Sequence, residues 1–290
     1  MMDNLVSVII PTKNRKDLIS KSIDSVLGQT VNPLEIIIVD DGSDDGTYDY
    51  IRQKYPNIIV LRNKESVKGA RARNQGASVA KGEYLAFLDS DDYWMPDHLE
   101  IQLQKLQDGA DGVCSEFFLV GKDSNKKHIK FDRGEVKGNI VNKIFSLKPF
   151  DCRTSTFVFK REAFDEVKFD NNMEKHQDWD LALNFAHHKK FVCSYHPSVC
   201  IDVDHGGERM SHKLNHDATF YFLNKNKMKL KSDSIYFFCV KNYYYCVQNG
   251  DNNRKKYLQF IKDNRLKGSI KHRLLLRLII LGSLFFNFRK

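Results

Sequence analysis

Three aspartates stand almost side by side in YLAFLDSDDYW (84–94): Asp89, Asp91 and Asp92, with only Ser90 between them. They follow an apolar run, so the chain passes from a buried strand straight into concentrated negative charge. Carboxylates this close repel one another, and burying one without compensation costs several kcal/mol. A divalent cation such as Mg2+ or Mn2+, which prefers carboxylate and phosphate oxygens, is one compensation; a solvated acidic turn is the other. A second carboxylate pair, Asp178 and Asp180, opens the apolar-periodic segment in EKHQDWDLALNF (174–185). A helix dipole favours a carboxylate there, and the same group can take a proton from an attacking hydroxyl.

Such residues act together only if the fold converges them. LVSVII (5–10) is a β-branched run ending at Pro11, the pattern of a buried strand followed by a loop. From Arg15 to Leu27 the apolar residues Leu18, Ile19, Ile23, Val26 and Leu27 have amphipathic-helix spacing. LEIIIVDDGSDDGT (34–47) is a continuous apolar strand stopped by turn formers. A helix over 47–55, a strand over 58–62, an Ala-rich helix over 67–80 and the strand YLAFLD (84–89) follow. Continuous rather than alternating apolar strands, interleaved with helices, predict an α/β fold with a mostly parallel, Rossmann-like sheet covered on both faces. Ligands of such sheets bind beyond the carboxyl ends of the strands. The ends PTKNR (11–15), DDGS (40–43) and DSDD (89–92) are therefore expected to meet in one crevice. Past Pro96 come a helix from Leu99, short strands between 110 and 160, a helix over 176–188 and a strand over 191–195.

At 290 residues and 41% hydrophobic content the chain holds a real core and is not a disordered protein. The six cysteines include no CxxC pair and no zinc-finger spacing, which predicts buried thiols in a reducing compartment. No basic stretch precedes the first short apolar run, so no signal peptide is expected and the cytoplasm is the expected compartment. The net charge of +9 is unevenly divided: residues 221–290 hold 16 Lys and Arg against 3 Asp and Glu. That basic, helical extension (216–290) predicts an anionic partner, and an anionic membrane surface rather than nucleic acid, because no nucleic-acid motif accompanies the charge. In RLKGSIKHRLLLRLIILGSLFFNFRK (265–290) the apolar run from Leu274 is broken by Arg277 and is shorter than the ~20 residues a span needs. It reads as an in-plane interfacial helix on the inner face of the plasma membrane, or as a helix packing on the rest of the chain.

The stretches VSVIIPTKNR (6–15), IIIVDDGSDDGT (36–47), KGARARNQGA (68–77) and YLAFLDSDDYW, in this order, resemble the nucleotide-sugar half of the family 2 inverting glycosyltransferases, whose domain is the GT-A fold. The resemblance covers about 4–100 and extends to about 215, giving a GT-A domain (1–215) with a nucleotide half (1–100) and an acceptor half (101–215). It implies that Pro11, Thr12, Asn14, Arg15 and Asp40 hold the base and ribose of a nucleoside diphosphate; Asp41, in the ordinary turn sequence Asp-Gly-Ser, reads as the cap of the turn that follows. It implies that Arg71 and Arg73 touch base or diphosphate, that Asp91 ligates Mn2+ or Mg2+, and that Asp89 touches ribose or a metal-bound water. EKHQDWDLALNF is similar to the family's Glu-Asp-Trp-Asp helix start, with Gln177 in place of Glu, which implies Asp178 as catalytic base, while Asp180 could fill either that role or that of a carboxylate favoured by the helix dipole. DHGGERMSHK (204–213) resembles the family's loop over the diphosphate, implying His205 as a metal ligand and Arg209 as a phosphate clamp. His176, His212 and His216 read as surface residues. The implied activity is transfer of a sugar, from a UDP-sugar first of all, to a saccharide acceptor that is lipid-linked, in cell-surface polysaccharide synthesis.

Two other functions fit parts of this pattern. A nucleotidyltransferase on the same fold would want a glycine-rich basic loop after the first strand, where PTKNRKD stands. A sugar-nucleotide or membrane binding module without catalysis would not need Asp89, Asp91 and Asp178 together.

Overall fold

A computed structural model describes residues 5–121, 123–131, 152–203 and 215–287, with side chains as far as Leu281. These residues fall into two compact units, one within 5–203 and one from Asn215 on.

The first unit is built on one sheet. Strands β1 (Val6–Thr12), β2 (Glu35–Asp40), β3 (Ile59–Arg62) and β4 (Tyr84–Phe87) pair in parallel in the order β3-β2-β1-β4. Helices α1 (Ile19–Leu27), α2 (Thr47–Lys54) and α3 (Gly69–Val79) connect them. Val8, Ile9, Ile10, Ile37, Ile38, Val39, Leu85 and Phe87 are all fully buried, as continuous apolar strands covered on both faces require. Pro11 does not end β1, contrary to expectation: it pairs with Val39 of β2, beyond the last β4 partner of β1 at Ile9. A proline is tolerated there because its missing N–H removes no ladder bond. Helix α1 starts four residues late because Arg15 closes a turn, its carbonyl accepting from the N–H of Leu18 at 3.0 Å and of Ile19 at 2.9 Å.

Past β4 the sheet becomes mixed. Strands β5 (Tyr93–Trp94), β6 (Gly112–Val120), β7 (Lys126–Ile129), β8 (Val158–Lys160) and β9 (Phe191–Asp202) extend the order β4-β8-β6-β9-β5, with β7 beside β6. Of these pairs only β6 and β9 run parallel. Helices α4 (His98–Gln107), α5 (Arg161–Val167) and α6 (Gln177–His188) accompany them. Phe159 centres an aromatic core, its ring 4.5 Å from Phe185 and 5.8 Å from Phe164 and Phe191. All six cysteines are buried and none forms a disulfide.

The second unit holds α7 (His216–Asn226), α8 (Ser232–Gln248), α9 (Arg254–Asp263) and α10 (Ile270–Asn287). Asn215 caps α7, its side chain accepting from the Ala218 N–H at 3.0 Å. His272 of α10 binds Asp233 at 2.6 Å and stacks on Phe237 of α8 at 4.6 Å. Ile270, Leu274, Leu278 and Leu281, spaced by four, four and three residues, are exposed. Among the described residues no helix is long and apolar enough to cross a membrane.

Candidate active site

The carboxyl ends of β1, β2 and β4 open into a cleft of about 350 Å³. Pro11, Thr12, Lys13 and Arg15 line it from β1, Asp41 from β2, Ser66, Lys68, Gly69, Ala72 and Arg73 from the start of α3, and Asp89–Asp92 from β4. Arg153, Thr154, Asp178 and Ile201 close it from the second half of the unit. Asp178 sits in the first turn of α6, after His176, whose backbone is left-handed at φ 64°. The acidic turn and the expected base thus share one cleft.

The three aspartates of the turn differ. Asp92 points inward and is 5% exposed, accepting from Ser155 Oγ at 2.5 Å and from the Asp202 N–H at 3.2 Å. Burial, then the charges of Asp91 and Asp89, push its carboxyl well above the ordinary carboxylate range. Asp91 faces Arg15 across 3.9 Å, and Asp89 accepts from Arg73 Nη2 at 2.5 Å. The turn is braced by Ser155, which accepts from the Asp89 N–H at 3.1 Å and takes the Trp94 indole N–H on its carbonyl at 2.8 Å. The carboxylate oxygens of Asp89 and Asp91, which line the cleft, are hard donors of the kind a divalent ion takes.

Asp40 and Asp41 exchange the places expected of them. Asp40 is fully buried, lies off the cleft and closes its own turn, accepting from the Ser43 N–H at 3.1 Å and from the Ser43 hydroxyl. Asp41, one residue on and therefore on the other face of the strand, lines the cleft. Burial raises its pKa, but donors from Ser66 Oγ, the Val67 N–H, Asn63 Nδ2 and the Lys68 N–H outweigh this and leave it below the ordinary value.

Arg73 is 8% exposed and joins two parts of the site, donating to Asp89 and, at 2.8 Å, to Gln177 Oε1. Arg71 is exposed, off the cleft, and donates to the Asn171 carbonyl at 3.3 Å. Asn14 cross-links two loops: its N–H donates to Ser43 Oγ at 2.9 Å and its Oδ1 accepts from the Asp44 N–H at 3.0 Å. Asp180 is buried and off the cleft. His176 is half-buried rather than fully exposed: it stacks on Trp179 at 4.8 Å, and burial, with Lys175, brings its pKa down to about 3. His216 is not one either, being held between Tyr257 and Asp251. His205, Arg209 and His212 lie outside the described residues. Lys13, Lys68 and Arg153 are cleft cations that motif reading passed over; the first two stand inside quoted motifs, while nothing around Arg153 marks it.

A sheet of this order with an acidic turn and an opposing helix-start carboxylate at its carboxyl ends defines a GT-A glycosyltransferase. The chain belongs to glycosyl transferase family 2, whose model matches residues 7–168. It is 28% identical over 263 residues to the amylovoran biosynthesis glycosyltransferase AmsB of Erwinia amylovora, covering 81% of this chain and 82% of that one. It is 44% identical over 181 residues to WfaP of Escherichia coli, a UDP-Glc:alpha-D-GlcNAc-diphosphoundecaprenol beta-1,3-glucosyltransferase, covering 62% of this chain and 69% of WfaP. The crystal structure of S. aureus TarS 1-349 in complex with UDP-GlcNAc shares the fold at TM-score 0.62 and 21% identity, covering 77% of this chain and 66% of that chain.

Proposed function

We propose that this glycosyltransferase moves a sugar from a UDP-sugar to a hydroxyl of a lipid-linked saccharide, with inversion, in cell-surface polysaccharide synthesis. The observation that carries this reading is the presence of Asp178 and the DSDD turn in one cleft. Pro11, Thr12 and Asp41 form its base end: Thr12 Oγ1 is buried there with no hydrogen-bond partner, an orphan that a nucleoside would satisfy. Asp41, held ionised, fixes the loop before α3 as the wall of this end through its donors Asn63, Ser66, Val67 and Lys68. Lys13, Arg15, Lys68 and Arg153 supply the positive charge for a diphosphate, and Arg209 is the proposed clamp beside them.

Asp178 takes the proton of the acceptor hydroxyl as its oxygen bonds to the anomeric carbon. The bond from that carbon to the diphosphate breaks on the opposite face, and its electron pair leaves with the phosphate oxygen. Asp91 would hold Mn2+ or Mg2+, with Asp89 beside it and His205 as a proposed third ligand. When bound, the ion supplies Lewis-acid stabilisation of the departing diphosphate charge. The lipid-linked acceptor is supported by the activity that the name of WfaP states.

Transfer measured with UDP-sugars and a diphosphoundecaprenol-linked sugar tests the reaction. Asp178→Asn is expected to lose about 10²–10⁴ in kcat with donor affinity unchanged by calorimetry; wild-type turnover in that variant would remove Asp178 as the base. The exposed Ile270, Leu274, Leu278 and Leu281, flanked by Lys271, Arg273 and Arg277, support attachment of α10 to an anionic membrane surface. Flotation with anionic vesicles is expected to carry the wild type and to fail for Leu274→Asp with Leu278→Asp. Equal flotation of both would sink the attachment.

A further inference from the structure

In the second unit three side chains of different chemistry meet. His216 is the first residue of α7, Cys246 lies in the last turn of α8, and Asp251 lies in the loop before α9. The imidazole nitrogen, the thiol sulfur and the carboxylate oxygen lie within 4.8 Å of one another. We propose that His216, Cys246 and Asp251 form a zinc site, separate in chemistry and in sequence from the sulfur-free divalent site proposed for the cleft.

The second layer of contacts carries the argument. His216 Nδ1 is occupied by the hydroxyl of the fully buried Tyr257 at 2.8 Å, so Nε2 is the nitrogen turned to Asp251, 2.6 Å from its Oδ2. Asp251 is oriented in the same way: its Oδ1 accepts from the Asn253 N–H at 2.8 Å and from Asn253 Nδ2 at 2.9 Å, leaving Oδ2 for the cluster. His216 and Asp251 therefore each turn to the cluster the atom that the outer partner does not use, the pattern by which outer hydrogen bonds aim metal ligands. A simple ion pair between α7 and the α8–α9 loop would need His216 and Asp251 alone; Cys246, fully buried, adds the soft donor. Sulfur, imidazole nitrogen and carboxylate oxygen suit Zn2+ in preference to Mg2+ or Mn2+. Three protein ligands leave a fourth position for water or another ligand, and the partly exposed Asp251 marks the side from which it would enter. The thiolate and the carboxylate together balance the charge of the ion, in a region where acidic residues are scarce.

The test uses the full, tag-free chain stripped with chelator and then titrated with Co2+ and Zn2+. One zinc per chain is expected, and Co2+ should raise a sulfur-to-cobalt charge-transfer band that a site without sulfur cannot give. Cys246→Ser should abolish the band and weaken zinc binding more than ~10-fold. Cys239→Ser, on the same helix but outside the trio, should leave both unchanged. Tyr257→Phe should weaken zinc by about 10–100-fold. Absence of stoichiometric zinc in the wild type, or a band that survives Cys246→Ser, overturns the site. If Cys246→Ser does not fold, Asp251→Asn decides: zinc affinity equal to wild type in that folded variant also overturns it.

Discussion

Arg73 is held from two sides, by the Asp89 carboxylate and by the Gln177 amide oxygen, so one guanidinium connects the acidic turn after β4 to the start of α6, where Asp178 sits. Gly69 lies beside this bridge because a Cβ there would stand 2.9 Å from Arg73 Nη1. A lysine retains the charge but not the planar fork that reaches both partners. Arg73→Lys is therefore expected to lower kcat/KM about 10–100-fold, ~1.5–3 kcal/mol, with the fall in kcat and little change in thermal midpoint. A midpoint that falls while kcat holds would make Arg73 a packing residue instead. The role expected for Arg73 from motif likeness was direct contact with the donor. Its partners lie 16 and 104 residues away, and nothing in a local motif announces them.

The elements that carry the cleft are packed with little slack. Gly76 on α3 meets β1 and β2 so closely that an added Cβ would lie 2.6 Å from Ile9 Cγ2 and 3.2 Å from Val39 Cγ2. Both neighbours are fully buried and β-branched, so neither can turn away cheaply. Gly76→Ala gains about 1 kcal/mol of helix propensity against an overpacking cost of about 1–3 kcal/mol. The expected balance is destabilisation of up to about 2 kcal/mol in urea unfolding followed by tryptophan fluorescence, with a raised KM because α3 carries Arg73 and Gly69. Unchanged stability would mean that α3 can shift freely. The positions of β1, β2, β4 and α3 were legible in the sequence, because continuous β-branched runs and an Ala-rich segment report burial directly. The choice between Asp40 and Asp41 was not, since moving one residue along a strand changes the face and the motif spans both. The mixed half of the sheet was equally obscured: β8 is three residues long, and β9 runs to Asp202 through His196 and Pro197, which break any simple strand pattern.

Across the whole chain, charge and burial make opposite demands. The excess of basic residues lies in 221–290, while the first unit buries an imidazole where α4, β5 and β9 meet. His98 is fully buried, stacks on Trp94 at 4.4 Å, and pairs Nδ1 with Ser198 Oγ at 2.8 Å. Its Nε2 has no hydrogen-bond partner, so no neighbour rewards protonation there. Burial, with His196 nearby, brings its pKa from 6.5 down to about 3. The unfolded chain therefore binds a proton at His98 between pH 6.5 and 3 that the folded chain refuses. This contribution to stability is complete above pH 6.5 and is lost as pH falls toward 3, at about 1.4 kcal/mol per pH unit. His98→Asn has nothing to protonate at this position. From pH 7.5 to pH 5.0 the wild type is expected to lose about 2 kcal/mol more unfolding free energy than the variant, read from urea titrations of the Trp94 fluorescence that His98 contacts. The comparison concerns the slope with pH, so any fixed cost of the substitution cancels. Parallel slopes for the two proteins would mean that the buried imidazole reaches a proton acceptor on acidification and titrates almost as freely as in the unfolded chain.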